Sequence, residues 1–297
     1  MRNKIFEKSV VVSVYLASSA ITFDLNKYII SVLNFKMHYL LIIVQSILIV
    51  GIILGQSLCT KTSIHYSNIN KWWITSALLT AMMFTNMKAL YYIPLSLFTL
   101  YKNSTIILIA ILELYFFGKS ITVLGCVSFV LMISSSLFGN TVDKIELVGY
   151  YWMVANIFST AAYILYLKKL MVVDMSTRTE SVFFTNLLSV PTLFLLSMLF
   201  DPMEIPKMTL PLIISIIGSG IAAYFTSFST AWSMKILSST SYSMLGAMNK
   251  LIVSASGFLV FDENFERVKM LALLVGILSG MVYSLDSIRK RPSATPS

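Results

Sequence analysis

The sequence predicts an all-α, polytopic membrane protein with ten transmembrane helices, arranged as two inverted five-helix repeats. Its composition is 57% hydrophobic and only 12% charged, about half the charged fraction of a typical soluble domain. Apolar stretches of the length that crosses a bilayer, about 20 residues, recur along the whole chain. The connections between them are short, so we expect a single membrane domain over residues 1–297.

The ten predicted spans follow from these apolar stretches taken in order. They cover residues 9–33, 38–58, 72–92, 95–117, 120–139, 147–167, 181–200, 209–234, 239–261 and 268–287. The first stretch is long enough to be a spanning helix itself, so we expect no cleavable signal peptide.

The placement of lysine and arginine predicts the orientation. Most of the basic residues outside the spans lie on one side of the predicted membrane: Arg2, Lys4, Lys8, Lys61, Lys71, Lys119, Lys168, Lys169, Arg178, Lys235, Arg289, Lys290 and Arg291. The opposite side holds Lys36, Lys144, Lys207, Arg267 and Lys269. Because cytosolic loops are enriched in basic residues, we expect both termini in the cytosol.

Ten spans divide into two halves of five. Because each half has an odd number of spans, the second half must enter the membrane from the opposite side to the first. This is the arrangement of inverted repeats, predicted here at about residues 9–140 and 146–288. The halves share one local feature, since the fourth span of each buries a lysine beside an asparagine, Lys102 next to Asn103 and Lys250 next to Asn249.

These two lysines are the strongest indications of a binding site. An ammonium group at membrane depth costs a few kcal/mol or more, so it should face a polar cavity and bind something. A diphosphate or phosphate ester suits two ammonium groups. The alternative is a buried ion pair with Asp24 or Glu113, the two carboxylates inside the predicted spans.

Further candidates combine polar groups with small residues. Gly246 and Ala247 precede Asn249 and would let a ligand approach the helix closely. The other candidates are Tyr15, Tyr101, Tyr242, Thr185, Asn186, Ser227 and Thr230. Each has a structural alternative, because tyrosines often mark membrane interfaces and hydroxyls often bond to their own backbone. Gly218 and Gly220 favour close helix packing.

Several classes of protein are disfavoured. The chain has no Ser/His/Asp set, no paired carboxylates at acid–base spacing and no phosphate-binding glycine loop, so we do not expect an enzyme. With only two histidines, neither with a spaced ligand partner, we expect no metal and no cofactor. The net charge of +9 follows from membrane topology, and we expect no nucleic-acid partner.

The residues around Lys250 resemble a known motif. Gly246-Ala247-Met248-Asn249-Lys250 is similar to the Gly-Ala-Leu-Asn-Lys motif of Golgi GDP-mannose transporters, which are nucleotide-sugar transporters of the drug/metabolite transporter superfamily. Tyr101-Lys102-Asn103-Ser104-Thr105-Ile106-Ile107 resembles the Phe-Lys-Asn-Leu-Thr-Ile-Ile stretch of the same family. The resemblance extends from about Tyr15 to Tyr283.

The resemblance implies ten helices around a cavity that closes alternately on each side, and exchange of cytosolic GDP-mannose for lumenal GMP in the Golgi membrane. It implies that Tyr242, Gly246, Ala247, Asn249 and Lys250 engage the ribose-phosphate and sugar. It also implies that a Phe-Tyr-Asn-Asn motif reads guanine together with the hydroxyls of span eight, Ser227 and Thr230. Here that motif reads Phe183-Phe184-Thr185-Asn186, and a family tyrosine in span four is Phe98.

The departures at Phe184 and Thr185 leave the exact sugar open, so another GDP-sugar or a broader range of nucleotide sugars remains an alternative. Three other classes are also open, one of which, a structural or assembly protein of the membrane, would leave the buried lysines unexplained. A proton-coupled exporter of amines would need Glu113 at its site, and a membrane enzyme that uses nucleotide sugars would need catalytic carboxylates. Membrane lipid is an expected partner, and the sequence leaves a homodimer open.

Overall fold

The computed structural model describes residues 2–60, 69–93, 95–118, 122–138, 147–173, 177–202, 207–246 and 248–249, together with residues 271, 275, 278–279 and 282. These residues are helical almost throughout, and the described ranges contain no strand. The all-α prediction is therefore confirmed.

Eight α-helices and one π-helical turn follow each other along the described chain. They are α1 (Arg2–Lys27), a π-helical turn (Tyr28–Val32), α2 (His38–Thr60), α3 (Ile69–Tyr92), α4 (Leu95–Phe117), α5 (Val123–Phe138), α6 (Leu147–Val172), α7 (Arg178–Phe200) and α8 (Leu210–Ile236). Residues 239–246 begin a further helix, named α9 here. Each helix falls on a predicted span.

Four helical stretches in the described ranges are long and apolar enough to cross a membrane: Phe6–Val32, His38–Thr60, Arg178–Phe200 and Leu210–Ile236. A multi-pass membrane protein is therefore confirmed, whereas the number of ten spans remains a prediction. Most of predicted spans nine and ten lies outside the described residues.

The chain forms two compact units, and each combines residues from both halves of the sequence. Unit 1 consists of Met1–Met83 and Tyr166–Ile236, and unit 2 consists of Phe84–Leu165 and Leu237–Ser297. The units thus differ in their boundaries from the two predicted sequence repeats, which remain a prediction.

Unit 1 is held together by packing of α1 on α8 and of α2 on α7 and α8. An apolar cluster forms where the π-helical turn, α2 and α8 meet, and its buried members are Ile29, Phe35, Leu41, Leu212 and Ile216. A buried amide adds specificity, because Gln45 Nε2 donates to Asn26 Oδ1 at 2.7 Å and to Ser219 Oγ at 3.0 Å. Hydrogen bonds of this kind between helices stabilise membrane bundles.

Helix ends in unit 1 are satisfied by side chains from neighbouring helices. The Asp201 carboxylate, at the end of α7, accepts from the backbone N–H groups of Tyr39 and Leu40 at 3.3 and 3.0 Å. The Lys168 ammonium donates to the Met234 carbonyl in the last turn of α8. Both contacts use groups that a helix leaves unpaired at its ends. They also join helix ends that the predicted alternation of spans places on one side of the membrane.

Unit 2 contains two apolar clusters. One consists of Ala89, Ile93, Phe98 and Met153, from the end of α3, the connection after it, α4 and α6. The other consists of Ile106, Ala110, Phe129 and Met244, and it packs α9 against α4 and α5. Ser279, in the predicted tenth span, donates to the Ser128 carbonyl of α5 at 2.7 Å. Residues from both halves of the chain therefore build the core of this unit.

Two glycines on α8 provide a matched test of the packing in unit 1. A Cβ at Gly220 would lie 2.5 Å from Leu48 Cδ1 and 3.3 Å from Leu48 Cβ, whereas a Cβ at Gly218 would lie 3.6 Å from Leu25 Cδ1. Both alanine substitutions raise helix propensity equally. We expect Gly220→Ala to melt below Gly218→Ala in detergent, with overpacking costing about 1–3 kcal/mol. Equal melting temperatures would contradict the close approach of α2 to α8.

Candidate functional site

Lys102, on α4, is surrounded by oxygen atoms from two other helices of unit 2. Its ammonium nitrogen donates to Asn156 Oδ1 at 2.5 Å, to Thr160 Oγ1 at 3.0 Å and to Asn86 Oδ1 at 3.2 Å. The nitrogen also lies 5.5 Å from the centre of the Phe98 ring. We call Asn86, Asn156 and Thr160 the oxygen cage.

A second layer of hydrogen bonds fixes the amide of Asn156. This side chain is fully buried, and its Nδ2 donates to Thr85 Oγ1 at 3.0 Å. Thr85 Oγ1 in turn lies 3.0 Å from Ser159 Oγ. Because the amide nitrogen is engaged by Thr85, the amide oxygen of Asn156 is the atom that faces Lys102.

The oxygen cage solvates the charge of Lys102 but does not neutralise it. Amides and a hydroxyl supply only dipoles, and Lys102 forms no ion pair within the described part of the chain. Within unit 2, the described partners of Lys102 are these neutral groups and do not include the Glu113 carboxylate. An ammonium group held only by neutral oxygens can still attract an anion.

Sequence reasoning missed the oxygen cage. Asn86 and Asn156 are amides inside predicted spans three and six. Burying an amide costs free energy unless it forms hydrogen bonds, so each of these residues indicates a polar contact inside the membrane. That signal was available in the sequence. Their convergence on Lys102 was not available, because it depends on which faces of α3, α4 and α6 meet.

Glu113, also on α4, caps the beginning of α9. The carboxylate is 2% exposed and accepts from Ser239 N at 2.9 Å, from Thr240 N at 3.0 Å and from Thr240 Oγ1 at 2.5 Å. Ser238 Oγ accepts from Ser241 N at 3.0 Å and completes the first turn. A carboxylate at a helix N-terminus satisfies orphan N–H groups and complements the helix dipole.

This cap connects α4, which holds Lys102, to the start of α9, which lies in the predicted span that contains Lys250. The prediction left Glu113 free to pair with a lysine or to serve an amine exporter as its carboxylate. The structure engages its carboxylate with the backbone of α9, where removing it would leave buried N–H groups without an acceptor.

The described part of α9 presents two faces. Met244 is 1% exposed and packs into the cluster with α4 and α5. Tyr242 and Gly246, one turn apart, are half-buried, and Asn249 is buried. Their spacing puts Tyr242, Gly246 and Asn249 along one side of a helix. Ala247 and Lys250 lie outside the residues whose structure is described.

The remaining candidates on α7 and α8 belong to unit 1. Asn186 is half-buried, and its Nδ2 donates to the Val182 carbonyl at 2.8 Å, which leaves its Oδ1 as an acceptor. Thr185 is buried, and its hydroxyl has no hydrogen-bond partner among the described residues. Ser227 and Thr230 are half-buried on α8, and their spacing places them on one face.

The predicted site residues thus divide into two sets, one in each unit. Unit 1 contains Tyr15, Thr185, Asn186, Ser227 and Thr230, and unit 2 contains Tyr101, Lys102, Tyr242, Gly246 and Asn249. Tyr15 is buried, and Tyr101 packs edge-on against Tyr150 with ring centroids 5.8 Å apart. The first set carries amide and hydroxyl groups, and the second carries the cation.

Comparison with known proteins decides the family. No family model matches the chain. A protein of Yarrowia lipolytica named GDP-mannose transporter is 34% identical over 304 residues, which cover 93% of this chain and 93% of that protein. A protein of Kluyveromyces lactis with the same name is 30% identical over 305 residues, covering 96% of this chain and 92% of that protein. The chain belongs to the GDP-mannose transporter family.

The fold of this member of the GDP-mannose transporter family is also found in a solved structure. That crystal structure, whose description names no activity, superimposes with a TM-score of 0.76 and covers 95% of this chain and 98% of its own. The sequence identity of 12% limits this likeness to the fold.

Two positions where this family member departs from the resembled guanine motif lie in the interior of unit 1. Phe184 is 1% exposed and stacks on Trp72 with ring centroids 6.1 Å apart. Thr185 follows it on α7, with its hydroxyl unpaired among the described residues. Phe184 therefore contributes to the packing of α7 against α3, while Thr185 retains an unused polar group.

Removing the Glu113 cap should destabilise the start of α9. Glu113→Leu leaves two buried backbone N–H groups without an acceptor, each costing about 1–3 kcal/mol. We expect a lower melting temperature in detergent and faster hydrogen exchange over residues 239–246. Glu180→Leu is the matched control, because Glu180 completes an exposed capping box at the start of α7, where the cap is worth about 1 kcal/mol or less. An equally small effect of both substitutions would contradict the capping role of Glu113.

Proposed function

We propose that this protein is a nucleotide-sugar antiporter that exchanges cytosolic GDP-mannose for lumenal GMP across the Golgi membrane by alternating access. Relatives named GDP-mannose transporters, matched over almost the whole chain, support transport over an enzymatic activity. The observation that carries the proposal is the charge of Lys102, which has no counter-ion within the described residues. The substrate diphosphate supplies the missing negative charge.

Lys102 and Lys250 offset the phosphate charge in this proposal. Phosphate oxygens are stronger acceptors for an ammonium group than the amide and hydroxyl oxygens of the cage, because they carry a net negative charge that adds Coulomb attraction to the hydrogen bond. A bound phosphate therefore competes with the cage for the Lys102 ammonium. The phosphate-binding role of Lys250 is proposed from the sequence motif Gly246–Lys250 alone.

Guanine is read by Asn186, Ser227 and Thr230. Guanine offers an N1–H and an exocyclic amine as donors, and Asn186 Oδ1 can accept from them while its Nδ2 remains bonded to the Val182 carbonyl. Thr185 has an unpaired hydroxyl beside it on α7. Tyr242 and Asn249 orient the ribose or sugar, and Gly246 and Ala247 allow its close approach. Tyr15 and Tyr101 contribute hydroxyls and ring faces.

The exchange needs no cofactor, since the opposing gradients of the two nucleotides supply the free energy. Rocking of helix groups alternates access, and both termini stay in the cytosol. Large apolar side chains that are mostly exposed on the helices, such as Val123, Leu199 and Leu210, contact membrane lipid. The departure at Thr185 favours one close alternative, in which the protein carries another GDP-sugar or a broader range of nucleotide sugars.

The direct test uses purified protein in liposomes. Vesicles preloaded with GMP are offered labelled GDP-mannose, GDP-fucose, UDP-galactose or a lipophilic cation. We expect uptake of GDP-mannose that requires internal GMP and little uptake of the cation. Equal uptake into vesicles without GMP would contradict exchange, and preferred uptake of the cation would contradict the proposed class of substrate.

Removing the charge of Lys102 should weaken transport. Lys102→Met keeps a long side chain without the ammonium, and we expect the apparent affinity for GDP-mannose to fall at least about 10-fold, the size of a modest charge-pair coupling. Lys88→Met is the matched control, because Lys88 is a second lysine on a predicted span, with its ammonium over the Phe84 ring at 5.8 Å. Loss of affinity in Lys88→Met alone would reject the role of Lys102.

Restoring the family amide at position 185 should sharpen selectivity. We expect Thr185→Asn to increase the preference for GDP-mannose over UDP-galactose by about 10-fold, because one good hydrogen bond in a buried site is worth about 1 kcal/mol or more. Competition between the two labelled sugars measures this ratio. Thr185→Val has the shape of threonine without the hydroxyl and should show no gain. An unchanged ratio in Thr185→Asn would remove position 185 from base recognition.

A further inference from the structure

We propose that Asn156 is the positioning residue that holds the Lys102 ammonium through a neutral oxygen, so that no counter-ion within the described residues occupies this place, and that the neutrality of the oxygen cage sets the requirement of the site for an anion. This inference rests on the proposed function but concerns residues that neither the sequence motifs nor the comparisons assign. It starts from the chemistry of the cage, which consists of two amides and one hydroxyl.

The geometry gives Asn156 the central position. Its Oδ1 forms the shortest of the three hydrogen bonds from Lys102 Nζ, at 2.5 Å, and the side chain is 0% exposed. The hydrogen bond from its Nδ2 to Thr85 Oγ1 fixes the orientation of the amide. Asn156 thus holds the ammonium in place through an oxygen that carries only a partial charge.

A carboxylate at this position would have nearly the same shape as the amide but would neutralise the charge of Lys102. Aspartate differs from asparagine by one atom, and it could accept from Lys102 through one oxygen and from the Thr85 hydroxyl through the other. The Lys102 charge would then be neutralised inside the protein. A phosphate would have to displace an ion-paired carboxylate, which competes far better than an amide oxygen.

A structural role and an electrostatic role of Asn156 therefore predict opposite results for Asn156→Asp. If Asn156 only packs and bonds, Asn156→Asp preserves the contacts and transport survives. If the neutrality of the cage matters, Asn156→Asp folds normally yet loses anion binding. The ion pair with Lys102 offsets the cost of burying the new carboxylate.

The experiment compares wild-type protein with Asn156→Asp in two assays. In the first, inorganic pyrophosphate is added to protein in detergent, and the shift in melting temperature is measured. In the second, GMP-loaded vesicles take up labelled GDP-mannose over a range of concentrations. We expect Asn156→Asp to melt close to the wild-type temperature without ligand, to lose the shift caused by pyrophosphate and to need roughly 10- to 100-fold more GDP-mannose for half-maximal uptake.

Two further variants make the comparison specific. Asn86→Asp places a carboxylate at a more distant cage position, 3.2 Å from Lys102 Nζ, and should show the same effects in weaker form; it also provides the test if Asn156→Asp does not fold. Asn26→Asp is the matched control, because Asn26 accepts from Gln45 in unit 1 and has no part in the cage. It should keep the pyrophosphate shift.

The outcomes separate this inference from the proposed function. Pyrophosphate shifts and uptake in Asn156→Asp that equal those of the wild type would overturn the inference while leaving the transport proposal intact. A wild-type protein that takes up no GDP-mannose, yet shows a pyrophosphate shift lost in Asn156→Asp, would overturn the transport proposal and support the inference. A wild-type protein that pyrophosphate does not stabilise would overturn the inference.

Discussion

A charge inside a bilayer must be solvated by the protein, because the hydrocarbon around it offers neither water nor counter-ions. Lys102 meets this constraint with amide and hydroxyl oxygens. Three helices have to meet for this to occur, since Asn86 lies on α3, Lys102 on α4, and Asn156 and Thr160 on α6. One ammonium group thus forms hydrogen bonds to both helices that pack around it. Because its partners are neutral, we infer a function that involves anions.

The same constraint explains the contacts at helix ends. Backbone groups of a terminal turn have no partner within their own helix, and in a membrane protein they must find one in another helix or in water. Glu113 supplies acceptors to α9, Asp201 supplies them to α2, and Lys168 donates to the end of α8. Charged residues that could have suggested ion-coupled chemistry therefore serve as caps. Among these charged side chains, Lys102 is the one to which we assign a ligand.

Part of this structure could be predicted from the sequence. The helices coincide with the predicted spans because long apolar stretches leave the backbone no alternative in lipid, and Lys102 stood out because its charge is costly there. The partners of Lys102 could not be predicted, since Asn86 and Asn156 reach it only through the packing of helices far apart in sequence. The cap formed by Glu113 depends equally on which turn of α4 meets the start of α9. Lys250 and Ala247 lie outside the described residues, so their roles remain predictions.

The central claim is that the phosphate groups of the substrate supply the negative counter-charge that Lys102 does not receive from its described neighbours. Equilibrium binding of guanosine, GMP and GDP to the purified protein tests this most directly, because the three ligands share a base and a ribose and differ only in phosphate. We predict that GMP and GDP bind and that guanosine binds at least about 10-fold more weakly, the difference expected for a modest charge-pair interaction. Guanosine binding as tight as that of GMP would contradict the account.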